Sequence, residues 1–192
     1  MQHNQFIDNY LESIHKQFLY YKQLGEKTFS QLTEEECLLQ KEATENSIAI
    51  IVNHISGNML SRWTDFLTTD GEKDFRNRDR EFDSIIQSKK EMIDRWEEGW
   101  ACLFHALTTV NTENFGTTIY IRNMGHTITE AINRQLAHYA YHIGQIVILG
   151  VQIKKENWES LSIPKGASKS YNEDKFSQPK RRQHFTDDFL EK

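Results

Sequence analysis

Cysteine, proline and glycine are scarce in this chain: two, two and nine in 192 residues. So few turn formers argue against a β-sandwich, which needs turn residues about every ten positions. Cys37 and Cys102 form no CxxC pair, which argues against a disulfide framework or a cysteine-based zinc site, and a reducing compartment is predicted. Positive charge is also in short supply. The 23 basic and 28 acidic residues leave a formal charge of −5, without the clustered basic face of a nucleic-acid binder. No window reaches 18 uncharged apolar residues, and Met1 to Phe6 has neither a basic nor an apolar leader region. The expectation is a cytoplasmic protein with no membrane and no nucleic-acid partner.

What is present is helical periodicity. Phe6/Ile7, Tyr10/Leu11, Ile14, Phe18 and Tyr21 recur at i, i+3, i+4, with Asn4 as a cap. A polar connection around residues 33–36 leads to a second helix from Glu42 to Leu67, which carries Ile48, Ile51, Val52, Ile55, Met59, Trp63 and Phe66. Residues 68–80 are too charged and turn-rich for core and read as a loop with functional potential. A third helix from Phe82 to Val110 buries Ile85/Ile86, Lys89, Met92/Ile93, Trp96, Trp100, Leu103/Phe104 and Leu107. Phe115 to Ile121 is β-branched and extended, a short crossover. Thr127 and Glu130 form a capping box for a fourth helix running to about Ile153. The fold class predicted is all-α: an antiparallel four-helix bundle over residues 1–165 with an extended crossover before the last helix. Residues 166–192 form a polar tail; of the remainder from Asn157, the first half is expected to pack and the end to fray.

Histidine stands out within this pattern. His138 and His142 occupy the most apolar stretch, Leu136 to Leu149, and the i, i+4 spacing puts both imidazoles on one helix face. The seam of that helix reads Ile128, Ala131, Gln135, His138, His142, Gln145, Leu149, with polar groups at its centre. His54 sits among aliphatic residues of the second helix. Any one core histidine is more simply a residue hydrogen-bonded to a neighbour; three such groups on two apolar helices point to a shared metal. Nitrogen-only coordination favours zinc, nickel, copper or ferrous iron over magnesium or calcium, with zinc and nickel leading. Three protein ligands leave one position open, the mark of a catalytic rather than a structural site, where a thiol or water would be acidified.

Around these histidines stand candidates for substrate binding. Asn58 lies one turn from His54 on the same face, able to hold a substrate or to orient a metal-bound water. Arg62, a further turn on, either meets an anionic substrate group or pairs with Asp65 or the 70–80 loop. Gln145 either supports His142 from behind or satisfies backbone groups in the seam. Tyr139 and Tyr141 point away from the histidine face and are expected to pack. His3, His15, His105, His126 and His184 are expected at the surface or at caps, and Trp96 and Trp100 in the core.

One histidine on the second helix and His138-x-x-x-His142 on the fourth resemble the DinB/YfiT-like superfamily of metal-binding four-helix bundles, over about residues 1–165. Residues 53–67, Asp70-Gly-Glu72 and 138–145 are similar to a bacterial subfamily that is functionally uncharacterised. The resemblance implies a homodimer binding zinc or nickel through His54, His138 and His142. It also implies activation of a low-molecular-weight thiol for transfer to a small electrophile. A metal-dependent hydrolase and a non-catalytic metal-binding or sensor dimer are the alternatives.

Overall fold

The computed structural model describes residues 2–42 and 44–190, with side chains from residue 4 onward, so the expectation for the His3 side chain lies outside them. Among the described residues six α-helices and one two-stranded sheet make a mostly helical bundle. Four of the helices are long. The first, α1, spans Gln2–Ser30, so Asn4 lies inside it rather than at its cap. It continues nine residues past Tyr21 because Thr28 and Phe29 extend its buried face. The expected polar connection holds a short helix, α2 (Glu34–Leu38), started by a capping box between Thr33 and Glu36.

Helix α3 spans Ile48–Trp63, shorter at both ends than the predicted 42–67. Ser47 sets the start, its hydroxyl accepting from the Ile50 N–H at 3.2 Å. Beyond Thr64 the backbone of Asp65 turns to a φ of 46°, which ends the helix. Helix α4 (Lys89–Thr108) likewise begins later than predicted, at a Ser88 cap. Met92, Trp96, Trp100, Leu103 and Leu107 are buried as expected, whereas Ile85 and Ile93 are 38% exposed and fall outside the stripe. Lys89 is only half-buried, its ammonium donating to the Phe29 and Leu32 carbonyls at the end of α1 at 2.7 and 2.6 Å.

The crossover is a hairpin, β1 (Thr118–Ile121) and β2 (Met124–Thr127), paired antiparallel with Ile121 opposite Met124. Arg122 and Asn123 turn it with φ of 56° and 60°, the left-handed pair that matches strand twist. Both Asp70 carboxylate oxygens accept from this turn, at 2.8 Å from the N–H groups of Arg122 and Asn123. The Gly71 N–H donates to the Tyr120 carbonyl at 2.8 Å. The charged loop is thereby fixed to the hairpin. Helix α5 (Ile128–Lys154) starts at the predicted Thr127/Glu130 capping box.

Helix α3 packs chiefly on α4, and α1 on α5. Trp96, Trp100, Phe18 and Tyr139 are fully enclosed between them, with Trp96 and Trp100 ring centroids 5.5 Å apart. Gly99 permits the close crossing of α4 over α3, since a Cβ there would sit 2.9 Å from the Ser56 Cα. In the tail, α6 (Ser168–Ser177) buries nothing, while residues 184–189 pack. His184 lies 3.0 Å from Ser13, Thr186 is buried, and Phe185 and Phe189 meet Tyr20. The first half of the remainder from Asn157 meets the bundle, with Trp158 against Gly150 and the Glu159 N–H donating to Gln31 Oε1 at 2.8 Å; the end, expected to fray, packs as well because apolar Phe185 and Phe189 find α1.

Candidate metal centre

His54 projects from the middle of α3, and His138 and His142 from consecutive turns of α5. Each offers a ring nitrogen, and these atoms lie within 4.8 Å of one another. The Nε2 atoms of His138 and His142 are 3.1 Å apart. Two nitrogens sharing a tetrahedral ion at bond lengths of about 2.0–2.1 Å stand about 3.3 Å apart, so α5 holds its pair close to ligand spacing. His54 is buried and the other two are half-buried. Burial, with the charges of neighbouring basic groups, pushes His138 down to about 3, and burial also lowers His142. Both rings are therefore neutral near pH 7, the form that binds metals.

The far side of two of the rings is occupied. His54 Nδ1 lies 2.9 Å from Glu81 Oε2, and since an ionised carboxylate only accepts, the ring nitrogen is the donor. This fixes the tautomer and leaves Nε2 free, the arrangement of a carboxylate-supported metal histidine. Glu81 is itself clamped by Arg76, with Nε at 2.7 Å from Oε1 and Nη2 at 3.0 Å from Oε2. Burial opposes ionisation of Glu81, yet the hydrogen bonds from His54 and Arg76 hold its carboxyl below the usual range. Asn53 secures the same residue by donating to its carbonyl at 2.9 Å. His142 Nδ1 donates to Gln145 Oε1 at 2.7 Å.

Glu81 and Arg76 are the residues that sequence reasoning missed. They come from the 68–80 loop and the 3-10 turn Asp79–Phe82 that follows, which were expected to lie outside the core or to begin a helix. Glu81 is 7% exposed, and the Arg76 side chain is almost wholly enclosed. Gly57 on α3 makes room for it: a Cβ at that position would fall 2.6 Å from Glu81 Oε1. Phe82 then stacks on the His54 ring at 4.6 Å.

The other candidates divide. Asn58 is buried beside His54, and its Oδ1 accepts from the Tyr139 hydroxyl at 3.1 Å, which in turn accepts from Trp63 Nε1 at 3.1 Å. Arg62 pairs with the loop, donating to the Gly71 carbonyl and lying 3.2 Å from Glu72. Asp65 is not its partner. Gln145 supports His142 and donates to the Tyr141 hydroxyl at 3.1 Å. Tyr139 packs as expected, but Tyr141 is 63% exposed, its ring 4.9 Å from that of His142.

Four long helices around an aromatic core, with three histidines gathered from two of them, define a helical bundle able to hold a metal ion. The chain belongs to the family described as protein of unknown function (DUF1572), whose model matches residues 5–167. No curated protein and no solved structure matches it. No helix among the described residues is long and apolar enough to cross a membrane.

Proposed function

We propose that this chain is a metal-dependent enzyme of the DinB/YfiT-like type. In it His54, His138 and His142 hold one divalent transition metal, zinc or nickel, and a low-molecular-weight thiol is activated for transfer to a small electrophile. The observation that carries this reading is the support behind the ligands: Glu81 holds His54 and Gln145 holds His142 through Nδ1, while ring nitrogens of the three histidines lie within 4.8 Å of one another. A divalent ion there supplies Lewis acidity that draws the pKa of a thiol or a water toward neutrality. The chain's own thiols do not serve as the nucleophile. Burial pushes Cys37 up to about 11, and burial also raises Cys102, so neither is a thiolate near pH 7.

The protein residues have separable tasks in this reading. Glu81 fixes the tautomer of His54 and shares the charge of the centre with Arg76. Gln145 orients His142. Asn58, held by Tyr139, presents its amide beside His54, and Arg62 offers a cation one turn further along α3. A homodimer in a cytoplasmic setting completes the proposal, with exposed Tyr141 and Ile148 on α5 available for a second copy.

The test uses protein purified without a polyhistidine tag and loaded with zinc or nickel. Several low-molecular-weight thiols are offered with a chromogenic electrophile, alongside ester and amide substrates. Metal-dependent consumption of a thiol, lost in His138→Ala, is the expected result. Turnover of an ester or amide without thiol would replace thiol transfer by hydrolysis. No metal-dependent turnover in any assay would overturn the enzyme reading in favour of a non-catalytic metal-binding dimer.

A further inference from the structure

Beside the histidine cluster lies a cavity of about 220 Å³ whose wall includes His54 and His138. Five arginines line it: Arg62 from α3, Arg76 and Arg78 from the charged loop, Arg122 from the hairpin turn and Arg134 from α5. Four separate segments thus bring arginines to the wall of one small space. Part of this charge is answered within the protein. Glu72 lies 3.2 Å from Arg62, 3.1 Å from Arg122 and 3.5 Å from Arg76, and Glu81 is taken by Arg76 and His54. Asp70 acts on Arg62 through charge but spends its oxygens on backbone N–H groups. Five guanidiniums against these three carboxylates leave an excess of two positive charges.

Two of the arginines have no carboxylate partner among the described residues. Arg78 lies over the Phe82 ring at 5.4 Å, and Arg134 Nη1 stands 3.3 Å from His126 Nε2. Two enclosed polar atoms on the cavity's lining residues are also without a partner: Arg62 Nε, on a residue 6% exposed, and Gln135 Oε1, on a residue 3% exposed. A buried donor and a buried acceptor left open cost about 1–3 kcal/mol each unless something binds them.

We propose that this cavity binds a small ligand carrying at least two negative charges on carboxylate or phosphate oxygens, placing it against the histidine cluster as substrate or co-substrate. Planar guanidinium forks match both kinds of oxyanion in bidentate fashion, and an excess of two positive charges matches a dianion. Sites for drug-sized ligands occupy roughly 300–1,000 Å³, so this cavity sets a smaller limit. The proposal rests on the metal-enzyme reading for the ligand's role, but the binding itself needs only the arginines.

The experiment is calorimetric titration with succinate, inorganic phosphate and acetate at fixed ionic strength held by chloride, on metal-loaded and metal-free protein. Succinate or phosphate is expected to bind about tenfold or more tightly than acetate, and which of the two leads distinguishes a carboxylate from a phosphate ligand. The Arg78→Gln/Arg134→Gln double variant, altered only at exposed positions, is expected to lose about tenfold in that affinity while its metal content stays the same. Equal binding of all three anions, or an unchanged Kd in the double variant, would overturn the proposal whatever the metal content. Dianion binding by a protein that takes up no metal would instead keep the pocket and remove the metal reading.

Discussion

One face of α3 carries Val52, Ile55 and Met59, and another carries His54, Asn58 and Arg62; both are buried, and they are held by different means. The apolar face lies against α4 and its tryptophans, where the driving force is removal of hydrocarbon from water and no partner is specified beyond shape. The polar face depends on named atoms: Glu81 for His54, Tyr139 for Asn58, Gly71 and Glu72 for Arg62. Burial on the first face stabilises the fold directly. On the second it stabilises only while each partner is in place, and the loop that supplies the partners of His54 and Arg62 is pinned to the hairpin through Asp70. A helix with one face of each kind positions chemistry on the side that folding alone does not require.

Four measurements set these faces against each other. Glu81→Ala leaves the enclosed Arg76 guanidinium and His54 without their carboxylate, and about 3–5 kcal/mol of stability is expected to go with it in chemical denaturation. Metal affinity is expected to fall about 10- to 100-fold in the same variant. Met59→Ala, on the apolar face, is expected to cost about 2–4 kcal/mol through the cavity it leaves, yet the folded variant should retain its metal. Equal metal loss in both variants would erase the distinction between the faces.

Gly57→Ala is a finer probe. Alanine is the better helix former by about 1 kcal/mol, so melting should change little, while the new methyl meets Glu81 Oε1 and weakens metal binding about tenfold. The last probe is pH. His138 is held at about 3 in the folded chain, against about 6.5 for a free imidazole, and His142 is lowered too. As pH falls below about 6.5 the unfolded chain takes up protons that the native state refuses, so stability declines toward pH 3. Metal-free protein should accordingly have a lower denaturation midpoint at pH 5 than at pH 7, and His138→Gln should show a smaller drop.

The sequence carried the parts of this arrangement that are periodic. Histidines at i, i+4 in α5, a third on α3, the aromatic stripe of α4 and the cap at Thr127 are local patterns, and each holds in the structure. The short helix α2 opens with a Thr/Glu capping box of the same kind as that at Thr127, and composition hid it because three consecutive glutamates read as a connection. Ser47 and Ser88 mark true helix starts that apolar periodicity alone placed too early. Glu81 was harder. It lies 27 residues from His54, inside a run whose charge density argues for solvent, and only folding shows that two of those charges turn inward as a pair. A local sign was Phe82 beside it, an aromatic side chain in a charged stretch, although Phe75 in the same stretch is exposed.

The central claim is that His54, His138 and His142 share one ion. Elemental analysis of tag-free protein, comparing wild type with His138→Ala at matched folding by circular dichroism, tests it most directly. The account expects about one zinc or nickel per chain in the first and essentially none in the second; equal content in both would contradict it.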